Sequence, residues 1–508
     1  MNYWCKNIRY LAVVLILFSG LQSQGQEKEN EKRIVNFRAD LMDYDESLGP
    51  QVHRLTGNVW MEHEDIILSC DSAHLNQGTN RFKGFGNVHI IKADSINLYG
   101  DFLDYDGSSR MALLEGRVRM EHNNTLLKTN HLHYNMEEEI SWYFEGGQII
   151  DSINTLESTW GYYFMETEEY HFKNQVFLSN EDNTLSTDTL FYNGKTELVK
   201  FLGPTQIFGD TNYIYCENGW YDSPNNLSSF NKNAVFQSRD QILQGDSLLY
   251  DRENNITEAF GNVTARDSIQ NSIIKGEKLY FDEAADHIVV TENTLYIMID
   301  GLDSLFLHAD TLLSYSIDSV DSRKIEAFHQ VQFFRSDMQG RCDSLDYLVV
   351  DSIIHLYNEP ILWQEKNQLT ATEISIKMSD EGIDFIEMLD MGFLITEIDS
   401  ILYNQIKGKT IRGYFKDNDL NRVEVIGNGE SLFYPEEDSS HIGLNNAVSS
   451  EIIMVFQDGK ITGVKFLYDP NSKLTPLKQI TSEERKLEGF IWHGLLRPKN
   501  RKDVFEWK

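Results

Sequence analysis

An all-β chain, folded as an elongated open β-jellyroll of about 29-residue repeats and ending in a short helical C-terminal tail, is the architecture this sequence predicts. Three observations predict it. A phrase Gly-Asn-Val recurs along the chain, a second phrase of the form acidic-x-Leu-x-Tyr falls between its copies, and both alternate apolar with polar residues at period two.

The first phrase stands at Gly57-Asn58-Val59, Gly86-Asn87-Val88, Gly116-Arg117-Val118 and Gly261-Asn262-Val263, with weaker copies at Asn174-Gln175-Val176, Asn233-Ala234-Val235 and His329-Gln330-Val331. Val59 to Val88 is 29 residues and Val88 to Val118 is 30. Gly supplies a backbone position at positive φ and Asn tolerates one, so each strand is expected to start from a tight turn there. The second phrase stands at Asp101–Tyr105, Asp188–Tyr192, Asp246–Tyr250 and Asp343–Tyr347, and as Asn130–Tyr134 with Asn in first place. Val118 and Met120 lie on one side of their strand, and Arg117, Arg119 and Glu121 on the other, which is the signature of a strand with one buried and one wet face. Eight prolines in 508 residues leave the ladders almost uninterrupted.

A unit of this kind cannot bury its apolar face alone, so stacked copies share one continuous core. A parallel β-solenoid and an open antiparallel jellyroll, a trough with an apolar interior, both satisfy that requirement. Turn-rich, hairpin-length spacings favour the antiparallel form. The array is expected over residues 34–250 and 251–427, followed at 428–508 by a C-terminal hairpin, a short helix and a basic tail. The hairpin is read from Glu451–Phe456 and Ile461–Leu467 across Asp458-Gly459. The helix is read from Thr481-Ser482-Glu483-Glu484, a capping box running towards Gly489, and the tail from Arg497 to Lys502.

Residues 1–25 read as a signal peptide. Lys6 and Arg9 precede the apolar run Leu11–Phe18, and Ser23-Gln24-Gly25 has the small-x-small form of a cleavage site. A retained N-terminal anchor is the alternative. No later segment is apolar for long enough to cross a membrane as a helix, so a soluble exported chain is expected. The net charge of −34 argues against nucleic acid and against an anionic membrane surface. Aromatic residues make up 12% of the chain, too many for a solvated tail.

After cleavage Cys70, Cys216 and Cys342 remain, an odd number that excludes a full disulfide framework. Each precedes an acidic residue at a repeat position where other copies carry Gly or Ala, so they read as small core fillers. His131 and His133 share a strand face without a third ligand at a suitable spacing. No Gly-x-Ser-x-Gly, His-Glu-x-x-His or P-loop phrase occurs, and the carboxylates are spread by the period rather than gathered. No catalytic residue, metal or cofactor is therefore expected.

The paired phrases resemble the OstA/LptA-type repeats of the lipopolysaccharide transport machinery, over most of the mature chain. The resemblance implies a non-enzymatic bridge in the periplasm, associated with the outer membrane, whose β trough carries lipid A acyl chains from the inner to the outer membrane. It implies other transport proteins or further copies as partners, joined by end-to-end strand pairing near Ile34–Tyr44 and Glu451–Leu467. The trough lining expected on this reading is Val59, Met61, Val88, Ile90, Val118, Met120, Val176, Val263, Val331 and Phe333. In such a fold these residues are also simply the core, and the sequence does not separate the two roles. A structural or adhesive surface array and a carbohydrate-active solenoid are the competing readings.

Overall fold

The computed structural model describes residues 36–507 apart from 45, 93–94, 301–302, 318–322, 380–381, 417–418, 438–439 and 458–459. The signal-peptide region and the Asp458-Gly459 turn lie outside the described residues. Among the described residues, all strands but one short hairpin belong to a single ladder of 36 strands in which every pairing is antiparallel. Pairing is almost entirely between sequence neighbours: Val52–His63 with Ile66–Asn76, that strand with Arg81–Lys92, and so on through Asp419–Phe433 and Gly443–Gln457. The ladder continues without a break through residue 250, because Gln241–Asp251 pairs with Ile256–Asp267. It also continues through residue 428, which lies inside Asp419–Phe433.

Each long strand is bent in its middle. The register shifts between Thr56 and Val59, between Phe85 and Val88, and between Glu115 and Val118. Those shifts fall on the Gly-Asn phrases. Gly-Asn does not open a strand, as expected from the sequence; it forms a bulge inside one. The physical requirement is the same, since Gly86 (φ 74°) and Asn87 (φ 47°) are both left-handed, but the bulge bends the strand instead of reversing it. The ladder is thereby folded lengthwise into two facing sheets. Residues 52–56, 72–76, 81–85 and 102–106 lie in the first, and residues 59–63, 66–69, 88–92 and 96–99 in the second. The bulges form a spine, and the hairpin turns line the opposite, free rim of each sheet.

The two sequence phrases meet at the spine. The Asn87 side chain donates to the Asp71 carboxylate at 2.9 Å, Asn58 to Asp40 at 2.8 Å, and Asn262 to Asp246 at 3.1 Å. In the third copy Arg117 takes the place of Asn, and its guanidinium holds the Asp101 carboxyl below the usual range by donating to it at 2.6 Å. A Cβ on Gly86 would collide with the Asp71 carboxylate. Gly86→Ala combines that clash with left-handed strain, at a cost of about 1–3 kcal/mol. Hydrogen exchange of the amides in Arg81–Lys92 is expected to accelerate accordingly, while that of the C-terminal strands stays unchanged.

The second phrase also ends the first-sheet strands. The Asp106 carboxylate accepts from the amides of Ser108 and Ser109, Asn76 from Gly78 and Thr79, and Asp251 from Glu253 and Asn254. These Asx turns reverse the chain at the rim. The three cysteines sit apart and buried beside the spine. Burial pushes the Cys70 thiol up to about 11 and Cys216 up to about 12, and raises Cys342 as well, so all three are unreactive thiols in the fold.

The expected C-terminal helix is not formed. The capping box exists locally: the Thr481 amide donates to Glu484 Oε2 at 2.9 Å, and the Glu484 amide to Thr481 Oγ1 at 3.3 Å. It closes only a turn, because one turn of helix is a costly nucleus and the next residues are engaged elsewhere. The chain from Leu477 instead runs as an irregular strap across the outer face of the second sheet, back towards strand Asp303–His308. Four buried glutamines of that face, at most 3% exposed, hold it. Gln405 accepts from the Leu487 amide and donates to the Arg485 carbonyl; Gln368 accepts from the His493 amide and donates to the Ile491 carbonyl. Gln339 accepts from Arg497, and Gln332 donates to the carbonyls of Asp503, Val504 and Glu506. Beneath the strap, Phe393, Ile395, Leu432, Tyr434 and Leu444 form a second core with Leu487. Arg497 is thus docked on the sheet, while Lys499, Arg501 and Lys502 remain exposed along the strap.

Candidate functional site: an apolar groove between the sheets

The inward side chains of the two sheets form two rows that run from strand to strand. In the second sheet the cross-strand neighbours are Met61, Leu68, Ile90, Leu98, Met120, Leu127, Ile149, Leu156, Leu178, Leu185, Ile207, Ile214, Phe236, Leu243, Ala265, Ile274 and Tyr296 in unbroken succession. The facing row of the first sheet is rich in tyrosine, with Tyr105, Tyr134, Tyr163, Tyr192, Tyr221 and Tyr250 one repeat apart.

The groove between these rows is shut at one end and open further along. Up to about residue 165 the second-sheet row is buried, with Leu68, Ile90 and Leu98 all 0% exposed. There the free rims of the two sheets are bridged. His63 Nδ1 lies 2.9 Å from the Tyr105 hydroxyl. Lys92 Nζ donates to the Met136 carbonyl at 2.8 Å and to Glu139 at 2.6 Å, and lies 5.8 Å over the Tyr134 ring. His122 Nδ1 lies 2.8 Å from the Tyr163 hydroxyl, and Arg110 pairs with Asp65 at 2.7 Å and Glu64 at 3.2 Å. Burial raises the Tyr105 phenol to about 12 and also raises Tyr134 and Tyr163, so all three stay neutral.

From Leu178 onward the rims part. Ile207, Ile214, Phe236, Leu243, Ala265 and Ile274 are half-buried and face the half-buried Tyr192, Val199, Tyr221, Tyr250 and Phe281. An aliphatic wall thus faces a tyrosine wall, and both are open to water at the rim. At about 4.8 Å per strand, the half-buried row from Ile207 to Ile274 runs roughly 24 Å. Towards the C-terminus the interior closes again, with Leu307, Val331, Phe333 and Leu362 buried. The open section is a continuous apolar surface of the kind that takes up chains rather than compact ligands. Its rims are acidic, with Glu181, Asp182, Asp210 and Asp240 on one side and Glu197, Glu253 and Glu283 on the other. Burial at the rim raises the Glu283 carboxyl.

All ten residues expected to line the trough point inward, and all are at most 2% exposed. They lie beside the spine or in the closed sections. The reachable inward residues are a different set, which period two alone does not distinguish. His131 lies 2.7 Å from Glu145, and His133 stacks on Trp142 at 5.2 Å. Among the described residues no group of three or more His, Cys, Asp or Glu is placed to hold a metal ion, and no helix is long and apolar enough to cross a membrane.

Residues 31–188 match the family model described as OstA-like protein. The match covers the N-terminal third of this chain. The OstA-like region covers the closed section and reaches the first strands of the open one. Among solved structures, the chain is similar to the crystal structure of LptH, the LptA-homologous periplasmic component of the lipopolysaccharide transport device of Pseudomonas aeruginosa. The two share 13% identity at a TM-score of 0.22, over 27% of this chain and 95% of that one. No curated protein matches the chain.

Within the OstA-like region, burial lowers the His122 pKa, against the opposing pull of the Glu168 and Glu139 carboxylates. The unfolded chain therefore holds that proton more tightly than the folded one. The stability associated with neutral His122 is complete above the ordinary imidazole value of about 6.5 and is lost as the pH falls through it. Hydrogen exchange at Arg119–His122, corrected for intrinsic rates, is expected to accelerate from pH 7 to pH 5, and His122→Phe to remove that acceleration.

Proposed function

We propose that this chain is a non-enzymatic lipid carrier of the cell envelope. Its cargo is lipopolysaccharide, whose lipid A acyl chains lie between the two sheets while the head group stays in solvent. The observation that carries this reading is the unbroken inward apolar row, accessible from the rim between Leu178 and Ile274. An acyl chain of about a dozen CH₂ groups loses roughly 10 kcal/mol on entering water, at about 0.8 kcal/mol per CH₂. A groove that keeps the chain covered lowers that barrier without chemistry. The acidic rims repel anionic groups of the cargo, so on this reading the head group stands out in solvent beyond them while only the acyl chains lie between the walls. The OstA-like region supports the assignment, because its repeats resemble those of lipopolysaccharide-transport proteins.

On this reading the protein works in the periplasm and joins partners through its terminal strands. Leu41–Tyr44 pairs with Val52–His63 and exposes Leu41, Met42 and Tyr44; at the other end Asn471–Pro476 exposes Leu474. Strands at a sheet end are templates for pairing with a further chain. Co-elution with the purified protein tests the cargo. Lipopolysaccharide is expected to co-elute, and its de-acylated polysaccharide is not. Equal retention of the two, or retention of neither, would overturn the assignment.

A further inference from the structure

The bridges across the rim follow a rule that stops part-way along the chain. His63 reaches Tyr105, Lys92 lies over Tyr134, and His122 reaches Tyr163. In each case the second-sheet residue is the last of its strand, and the tyrosine lies 41 or 42 positions further on. The tyrosines continue at the same repeat position, as Tyr192, Tyr221 and Tyr250. Their counterparts at the strand ends are Ile150, Ser179 and Gly209, which have no side chain able to reach across and hydrogen-bond. Among the described residues no hydrogen bond joins those three tyrosines to the second sheet. The groove is open from there on, and the inward residues beside it become half-buried over the same stretch.

We infer that His63, Lys92 and His122, with Tyr105, Tyr134 and Tyr163, are latches that keep the N-terminal section of the groove shut, and that acyl chains enter through the open middle section and move towards the N-terminus only when the latches part. This rests on the lipid-carrier reading above, but the latching itself is a property of the protein alone. The latches are well suited to parting. His63 and His122 each lie within hydrogen-bond distance of one tyrosine hydroxyl, and Lys92 bonds the Met136 carbonyl and Glu139 beside the Tyr134 ring; otherwise the sheets are joined at the spine, by apolar packing and by the Arg110 pairs with Asp65 and Glu64. Two of the three tyrosine contacts are single hydrogen bonds and the third is a cation over a ring, each modest in net strength, so the row holds the rims together without locking them. The apolar row behind them is already continuous with the open section through Leu127, Ile149, Leu156 and Leu178. Parting the rims would therefore extend an existing surface rather than create a new one.

The test needs no lipid. A reporter cysteine is placed in the full chain at Met120→Cys, behind the latches, or at Leu243→Cys, in the open section. The rate of modification by an N-alkyl maleimide is then measured, with the buried native thiols as internal standards of folding. Leu243→Cys is expected to react at least 10-fold faster than Met120→Cys. Replacing two latches by residues of the open section's type, Lys92→Ile with His122→Ser, should raise the Met120→Cys rate at least 10-fold and leave the Leu243→Cys rate unchanged. His122→Gln keeps a hydrogen-bonding group of similar reach, and with Lys92 intact it should stay near the original rate. If the double change loosens the fold so that Cys70 becomes reactive, Tyr163→Phe, which removes only a hydroxyl, takes its place and should raise the Met120→Cys rate by a smaller factor. Equal rates at the two reporters in the unaltered chain would overturn the inference. So would an unchanged Met120→Cys rate in the latch variants while Cys70 stays protected. Failure of lipopolysaccharide to co-elute with the protein would instead remove the carrier reading and leave the latches standing.

Discussion

Leu243→Asp combined with Ile274→Asp is expected to abolish lipid binding, by at least 100-fold, while leaving the protein folded. The two positions face one neighbour, Ala265, from the strands on either side of it, so both carboxylates enter the same stretch of groove wall. Both native side chains are half-buried and in contact with water, so a carboxylate at either place remains hydrated in the unliganded protein. The situation changes when an acyl chain covers them. Each carboxylate must then lose water against hydrocarbon, a cost of several kcal/mol, and the apolar contact it replaces is lost as well. A factor of 100 is only about 2.7 kcal/mol, so the expected loss is a lower bound. The same change in the closed section has the opposite profile. Leu98 is 0% exposed, so Leu98→Asp buries an unpaired charge and is expected to prevent folding of the OstA-like region. Titration calorimetry with lipopolysaccharide, alongside thermal unfolding, reads both effects.

Gln368→Leu combined with Gln405→Leu is expected to release the C-terminal strap and to lower stability by several kcal/mol. Each glutamine is fully buried and closes two hydrogen bonds to strap backbone. Leucine is close to glutamine in volume but leaves an amide and a carbonyl of the strap unpaired, at about 1–3 kcal/mol per orphaned group. Once the strap lifts, Phe393, Ile395, Leu432, Tyr434 and Leu444 lose their cover. Full burial of such side chains contributes about 1.5–3 kcal/mol each, and an exposed patch of that kind also drives association. Hydrogen exchange at Leu487 and His493 should rise at least 100-fold, and the variant should elute as higher-order species. Retention of native exchange at both amides would show that apolar packing alone seats the strap.

Period two and the recurring phrases make the strands, their antiparallel pairing and the inward set readable in the sequence. All ten expected lining residues do face inward. Two features escape for physical reasons. Gly-Asn specifies left-handed backbone, and that conformation serves a hairpin turn and a mid-strand bulge equally; only the pairing of Thr56 and Val59 with Ser72 and Cys70 decides between them. The opening of the groove depends on residues some 41 or 42 apart, so the residues beside His122 and those beside Gly209 look alike in alternation while one stretch is shut and the other open. A trace of that difference is nevertheless written in the chain, in the change from His63, Lys92 and His122 to Ile150, Ser179 and Gly209. The strap failed to be legible because Thr481–Glu484 carries a valid helix-start signal. Docking onto glutamines more than seventy residues away overrides that local preference.

Photo-crosslinking along one strand pair tests the central claim, that the inward apolar face of the open section carries acyl chains. A benzophenone amino acid is placed in turn at the inward positions Leu243 and Ile274 and at their outward neighbours Gln244 and Lys275, in cells making labelled lipopolysaccharide. Capture of the label from Leu243 and Ile274, and not from Gln244 or Lys275, is the predicted result. Capture from both faces alike, or from neither inward position, would contradict it.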